Sequence, residues 1–275
     1  MGYVNKRHRT MVFSWTKAAF LVVGVAVATA TAAAAASMPP VNRRAGYRRG
    51  KTPAFFLAGD STTAVDGGWG NGLLAPLLEP AWGLNMGLSG ATTKSFVARG
   101  NWENVTSHLK ENAGAYDCYV TISFGHNDQK EESGVTFEEY QQNLINFANE
   151  VKSLGGKALL VSSLTRRVFP GDPHNATDSL HDQRLAAIEA AAATGSAIVD
   201  LNAASLAYVD AIGRDASWAY NWGDDMKDMT HLNPWGEVVF GRMVADLVIR
   251  AKPDLGGWIT PNETLSDAIW NNQPA

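Results

Sequence analysis

The chain is poor in cysteine. Cys118 stands alone among 275 residues, so no intrachain disulfide can form and packing must hold the fold. It also lacks any excess of positive charge: the formal net charge is -4, which argues against a nucleic-acid partner. No acid occurs before Asp60, and no internal repeat or heptad run marks a repeat array or coiled coil. The six histidines are scattered, with no H-E-x-x-H and no clustered ligand spacing, so no metal site is expected. What remains is 45% hydrophobic and 18% charged, enough for one sizeable core in a single domain.

The first residues read as a leader. Lys6, Arg7, Arg9 and Lys17 precede "AAFLVVGVAVATATAAAAAS", and small residues near 34–36 offer a cleavage site, so 1–36 is expected to be a secretory signal peptide. The apolar run is nearly long enough to span a bilayer, but its second half is Ala and Thr, weak for a span. Cleavage is therefore the expectation, with a secreted protein and no stable membrane association. It removes four basic residues and no acid, which leaves the mature chain more negative. Sequons at Asn104, Asn175 and Asn262 agree with export as a glycoprotein. Residues 37–52 read as a Pro- and Arg-rich linker, with Arg43-Arg44 and Arg48-Arg49 as candidate processing sites. The folded domain is expected over 53–275, a monomer by default.

From Pro53 the pattern alternates. Short apolar runs at 54–58, 84–86, 116–124, 158–161 and 197–201 predict five buried strands. Helical stretches lie between and after them. Over 137–154 the apolar residues Phe137, Tyr140, Leu144, Phe147, Val151 and Leu154 make one face. The Ala-rich stretch 179–194 ends at Gly195, and Pro234 opens a helix to Arg250. Strand–helix alternation predicts an α/β fold with a parallel sheet and helices on both faces. Cys118 falls in an apolar run and reads as core.

In such sheets, sites form beyond the carboxyl ends of the strands. Gly59-Asp60-Ser61 follows the first strand, "GLSGATTKSF" the second and "FGHND" the third, while "DMTHLNPWG" comes late in the chain. A serine hydroxyl is a weak nucleophile until a base accepts its proton. His231 is the candidate base, and Asp228 is the candidate to fix its tautomer and stabilise the imidazolium. Backbone N–H groups of Ser61 and Gly90 and the Asn127 amide are candidate oxyanion donors. A histidine base predicts activity falling on the acid side, with a midpoint on the order of pH 5–7.

These blocks, in this order, resemble the SGNH, or GDSL, hydrolases. The stretches "GDSTTAVDGGWGNGL", "GATTKSF" and "ISFGHNDQ" are similar to the rhamnogalacturonan acetylesterase branch, and the resemblance covers roughly 54–248. It implies a flavodoxin-like three-layer α/β/α sandwich on a five-stranded parallel sheet, with no metal or cofactor. It implies Ser61 as nucleophile, Asp228 and His231 completing the triad, and Gly90 and Asn127 as oxyanion donors. It implies a secreted serine esterase that deacetylates a plant cell-wall polysaccharide, acetylated rhamnogalacturonan first. Acetylated xylan, small esters, or a non-catalytic carbohydrate-binding role on the same scaffold are the alternatives. One departure is that Ala91-Thr92 stands where the branch often has Arg-Ser, so the branch's sugar contacts do not carry over at this point while the chemistry does.

Ser89 in "GLSGA" nearly matches a nucleophile elbow but lacks the final glycine. His126 reads as a histidine satisfied by loop hydrogen bonds, with a second base as the rival, Asp60 as an acceptor that shapes the turn, and Asp224 and Asp225 as solvated loop acids. Arg166 and Arg167 are candidates to fork onto a substrate carboxylate, with plain surface charge as the rival. Trp218, Tyr220, Trp222 and Trp235 are dense near the triad; Trp222 is the first choice for a sugar contact, and core packing is the rival. Trp69 and Trp82 read as packing.

Overall fold

The computed structural model describes Met1 and residues 50–275. The leader expected over 1–36, Met1 apart, and all of the 37–52 linker before Gly50, with both dibasic pairs, lie outside the described residues. Strand β1 (Pro53–Gly59) is buried along its whole length, as a strand covered on both faces must be. Its side chains divide by the period of two: Phe55 and Leu57 enter one apolar cluster, while Ala54, Phe56 and Ala58 enter the other. Helix α1 (Gly70–Leu74) and strand β2 (Trp82–Asn85) follow. Then come α2 (Thr93–Ala98), α3 (Asn101–Asn112) and β3 (Asp117–Ser123). Helix α4 (Phe137–Ser153), β4 (Lys157–Val161), α5 (His181–Thr194) and β5 (Ala197–Val199) complete the central sheet.

All five strands run parallel in the order β2-β1-β3-β4-β5, the doubly wound order of the flavodoxin-like fold. The two clusters are the two helix–sheet interfaces. Phe96, Val105, Leu144 and Ala187 bring α2 to α5 to one face. The other face takes α1, α6 (Leu201–Ile212), α8 (Pro234–Ala251) and α9 (Glu263–Trp270) through Leu73, Tyr208, Val244 and Ile269. Cys118 lies in the first interface, 1% exposed. Two short elements, α7 (Arg214–Trp218) and β6 (Asn221–Trp222), precede β7 (Asp228–Leu232), which pairs antiparallel with β6 as a separate ribbon.

Local signals explain the helix ends. Thr136 caps α4 by accepting from Glu139 N, and Glu138 and Glu139 occupy its first turn. Gly195 ends α5 at φ +62°, a left-handed position that favours glycine. The apolar run 197–201 was expected to be all strand. It breaks at Asp200, whose side chain accepts from Ala203 N and starts α6 at Leu201. Helix α5 likewise starts at His181, later than the expected 179. The sequons' Asn104, Asn175 and Asn262 are exposed, although the Asn262 side chain caps α9. Among the described residues, no helix is long and apolar enough to cross a membrane.

Candidate active site

The first strand delivers Ser61 by a tight turn. Gly59 leaves no room for a side chain: a Cβ there would lie 2.2 Å from Thr63 Oγ1 and 2.7 Å from the Ser123 carbonyl. Asp60 then shapes the turn. Its Oδ1 accepts from Thr62 N at 2.9 Å and Thr62 Oγ1 at 2.8 Å, and its carbonyl accepts from Thr63 and Ala64 N–H. Ser61 sits on this turn, 7% exposed. It lies at the carboxyl end of β1, and the strand order reverses between β1 and β3. Open α/β sheets hold their ligands at such a switch point.

The base arrives from the other end of the chain. His231 Nε2 lies 2.8 Å from Ser61 Oγ, and His231 Nδ1 lies 2.7 Å from Asp228 Oδ2. The other carboxylate oxygen of Asp228 accepts from Thr230 N at 2.9 Å and His231 N at 3.0 Å. Asp228 opens β7, and those two short-range bonds curl the strand so that acid and base face each other. Partial burial pushes the Asp228 carboxyl up, but the His231 and Thr230 donors outweigh it and hold it below the usual carboxylate range. Asp228 is therefore ionised at neutral pH. His231 is clasped from the side by Gly67, whose N–H donates to Glu237 Oε1 at 2.7 Å and whose carbonyl accepts from Leu232 N at 2.9 Å.

The other two loops meet each other. Gly90 is exposed at φ +72°, with open space where a Cβ would stand. Asn127 Nδ2 donates to the Ala91 carbonyl at 3.0 Å, and Asn127 Oδ1 accepts from Lys130 Nζ at 3.0 Å. Next to it, Asp128 Oδ1 accepts from Thr93 N at 2.8 Å and Thr93 Oγ1 at 2.6 Å. Burial pushes the Asp128 carboxyl up to about 6 against the pull of those Thr93 donors.

Facing the residue before Ser61, His126 is buried with its Nδ1 3.7 Å from Asp60 Oδ2. Burial lowers the His126 ring below the usual imidazole range despite the facing carboxylate. Burial pushes Asp60 the other way, but His126 and the Thr62 donors hold it below the usual carboxylate range. Asp60 thus shapes the turn as expected. Among the described residues neither ring nitrogen of His126 has a hydrogen-bond partner, so the expected loop bonds to that ring are not formed there.

The arginine pair divides. Arg167 is fully buried, contrary to a role on a substrate carboxylate. Its Nε donates to Asn221 Oδ1 at 2.5 Å and its Nη2 to the His231 carbonyl at 2.6 Å, which ties β6 to β7 from inside. Burial lowers its pKa to about 9, with Asp228 pulling the other way. Arg166 is half-buried and donates to Ser179 Oγ at 3.0 Å and the His126 carbonyl at 3.4 Å. Trp222 is 39% exposed on β6, paired in register with Asp228. Of its expected companions, Tyr220 is core, and Trp218 donates from Nε1 to the Arg167 carbonyl. Trp69 is core as expected, and Trp82 packs edge-on against Phe56 and Tyr116. Ser89 and the acids Asp224 and Asp225 are exposed. Lys130, Gly67 and Glu237 escaped the sequence reading. Only Lys130 left a signal, lying three residues from Asn127 in a turn-forming stretch.

The family model described as "GDSL-like Lipase/Acylhydrolase family" matches residues 57–238, which span every block just described. The chain belongs to the GDSL-like lipase/acylhydrolase family. It is a hydrolase of carboxylic esters. Among curated relatives, rhamnogalacturonan acetylesterase RhgT of Bacillus subtilis (strain 168) is 29% identical over 209 residues, 70% of this chain and 87% of that one. The probable rhamnogalacturonan acetylesterase YesY of the same strain is 25% identical, over 69% of this chain and 89% of that one. Among solved structures, the Bacillus subtilis protein YxiM superposes with a TM-score of 0.63 at 20% identity, covering 72% of this chain but only 56% of that chain. A catalytic mutant of Axe2, an acetylxylan esterase from Geobacillus stearothermophilus, superposes at 0.54 and 20% identity over 74% of this chain and 96% of that one. These two likenesses carry the fold alone, the α/β fold built on a five-stranded parallel sheet.

Proposed function

We propose that this family member is a secreted serine esterase that removes acetyl groups from a plant cell-wall polysaccharide, with acetylated rhamnogalacturonan as the substrate. The hydrogen-bonded line from Ser61 through His231 to Asp228 carries the chemical part of this reading. The names of the two curated relatives support the polymer, and the leader-like 1–36 supports export.

Ser61 Oγ attacks the acetyl carbonyl carbon while His231 Nε2 takes its proton. The carbonyl oxygen becomes an oxyanion, received by N–H groups of Ser61, Gly90 and the Asn127 amide. The carbon–oxygen bond to the sugar then breaks, and His231 returns the proton to the departing sugar oxygen. An acetyl group remains on Ser61. Water attacks it with His231 again as base, acetate leaves, and the serine is restored. The ionised Asp228 holds the imidazole tautomer and stabilises the imidazolium throughout. Trp222 offers an exposed ring for the face of a sugar, and Arg166 is the remaining arginine for a uronate carboxylate.

The test is acetate release from acetylated rhamnogalacturonan and from acetylated xylan, with Ser61→Ala as the blank. Release from the pectic polymer, lost in the blank, is the expected result. Release from xylan alone keeps the mechanism and moves the substrate. Failure of a serine-directed phosphonate to label the parent protein would overturn the enzyme reading in favour of a carbohydrate-binding role.

A further inference from the structure

The Asn127 amide is held at both ends by groups that cannot exchange roles. Its Oδ1 lies 3.0 Å from Lys130 Nζ, and an ammonium only donates. Its Nδ2 lies 3.0 Å from the Ala91 carbonyl, which only accepts. Turning the amide over would set donor against donor and acceptor against acceptor. In the observed orientation one N–H of Nδ2 is used by Ala91 and the second remains for a ligand. The lysine is itself held in place: its backbone N–H donates to the Asn127 carbonyl at 3.1 Å, and its carbonyl accepts from Ser133 N at 2.9 Å. Asp128, between them, grips Thr93 through both N–H and hydroxyl, so the loops carrying Gly90 and Asn127 are joined twice. Lys130 is exposed, and among the described residues no salt bridge engages its ammonium.

We propose that Lys130 is a positioning residue of the oxyanion hole, fixing the Asn127 amide so that its free N–H faces the developing oxyanion. This rests on the oxyanion role assigned to Asn127 above. The ammonium bound to Oδ1 also withdraws electron density from the amide, which makes the opposite N–H a stronger donor. A preoriented donor acts on the transition state and not on the bound ester, so its loss appears in kcat.

The experiment is a double-mutant cycle on a neutral aryl acetate, where polymer binding plays no part. Asn127→Ala is expected to lower kcat by roughly 10²–10³-fold, the range for one oxyanion donor. Lys130→Met is expected to lower kcat on the order of tenfold with KM within about twofold, because the donor is present but loosely aimed. In the Asn127→Ala background Lys130→Met should have no further effect, and Lys130→Arg, also donor-only, should recover most of the loss. Lys94→Met, removing another exposed lysine, controls for net charge and should match the parent. Parent-like turnover in Lys130→Met beside a crippled Asn127→Ala overturns the inference alone. So does a Lys130→Met loss of equal size in both backgrounds, since the lysine would then act through something else. Parent-like turnover in Asn127→Ala with an inactive Ser61→Ala would remove the oxyanion assignment and the lysine's role with it. An active Ser61→Ala would overturn the serine mechanism itself.

Discussion

The guanidinium of Arg167 lies inside the protein, bonded to Asn221 and to the carbonyl of His231. Arg166, one position earlier, stays half-exposed above it. The two should therefore fail differently. Arg167→Ala leaves one buried and one part-buried acceptor unmet and opens a cavity, and is expected to lower stability by about 2–4 kcal/mol in denaturant titration. Arg166→Ala should leave the unfolding midpoint nearly unchanged and raise KM for a uronate polymer more than for an aryl acetate. Equal KM changes on both substrates would remove Arg166 from substrate binding. Asp128 gives a pH-dependent case. Its pKa of about 6 stands above the ordinary 3.8, so between those values the folded state keeps a proton that the unfolded chain has released. Stability contributed by this group therefore falls as pH rises through that window and stays low above it. Asp128→Asn keeps an acceptor toward Thr93 and removes the buried charge. Melting curves should show it more stable than the parent at pH 8, with the gain gone by pH 4.

Elements were legible where they repeat and less so where they bend. The five strands stood out because each is an apolar run between turn-formers, and α4 because its apolar residues fall at 3–4 spacing. The four motif blocks were legible as well, since residues just beyond strand ends must lie on one rim of a parallel sheet. The β6–β7 ribbon was not: "NWGDDMKDMTHL" has no alternation, and its shape comes from Arg167 beneath it and Asp228 folding back on its own backbone. For the same reason Arg167 read as a candidate for a substrate carboxylate, because burial of a cation depends on acceptors that sequence does not bring into view. The Gly67 clasp is another contact of this kind. Its φ of +90° favours glycine, and a Cβ there would lie 3.2 Å from the His231 Cβ. Gly67→Ala should therefore push His231 from Ser61, lowering kcat on the order of tenfold or more while destabilising by only about 1–2 kcal/mol. Loss of stability with parent-like kcat would show that the clasp does not reach the imidazole.

Across the whole molecule, the reacting groups come from opposite ends of the chain, and their spacing depends on how α8 seats on the sheet. The seat is a glycine crossing. A Cβ on Gly241 would fall 2.3 Å from Gly72 Cα, and one on Gly72 would fall 2.1 Å from the Glu237 carbonyl. Helices α1 and α8 touch backbone to backbone there, close behind the Ser61 turn at one end and His231 at the other. Gly241→Ala must move one helix, and is expected to cost about 3 kcal/mol and lower the thermal midpoint by roughly 6–12 °C in calorimetry. An unchanged midpoint would mean the crossing has slack that this geometry does not show. The solitary thiol has a practical consequence. Cys118 is closed inside the sheet–helix interface, so thiol-reactive dyes have no native target among the described residues. A cysteine introduced at Met226, exposed in the turn that joins β6 to β7, would take a single fluorophore. Its emission would report a polysaccharide chain settling on the ribbon in real time, in an inactive Ser61→Ala background where nothing is consumed.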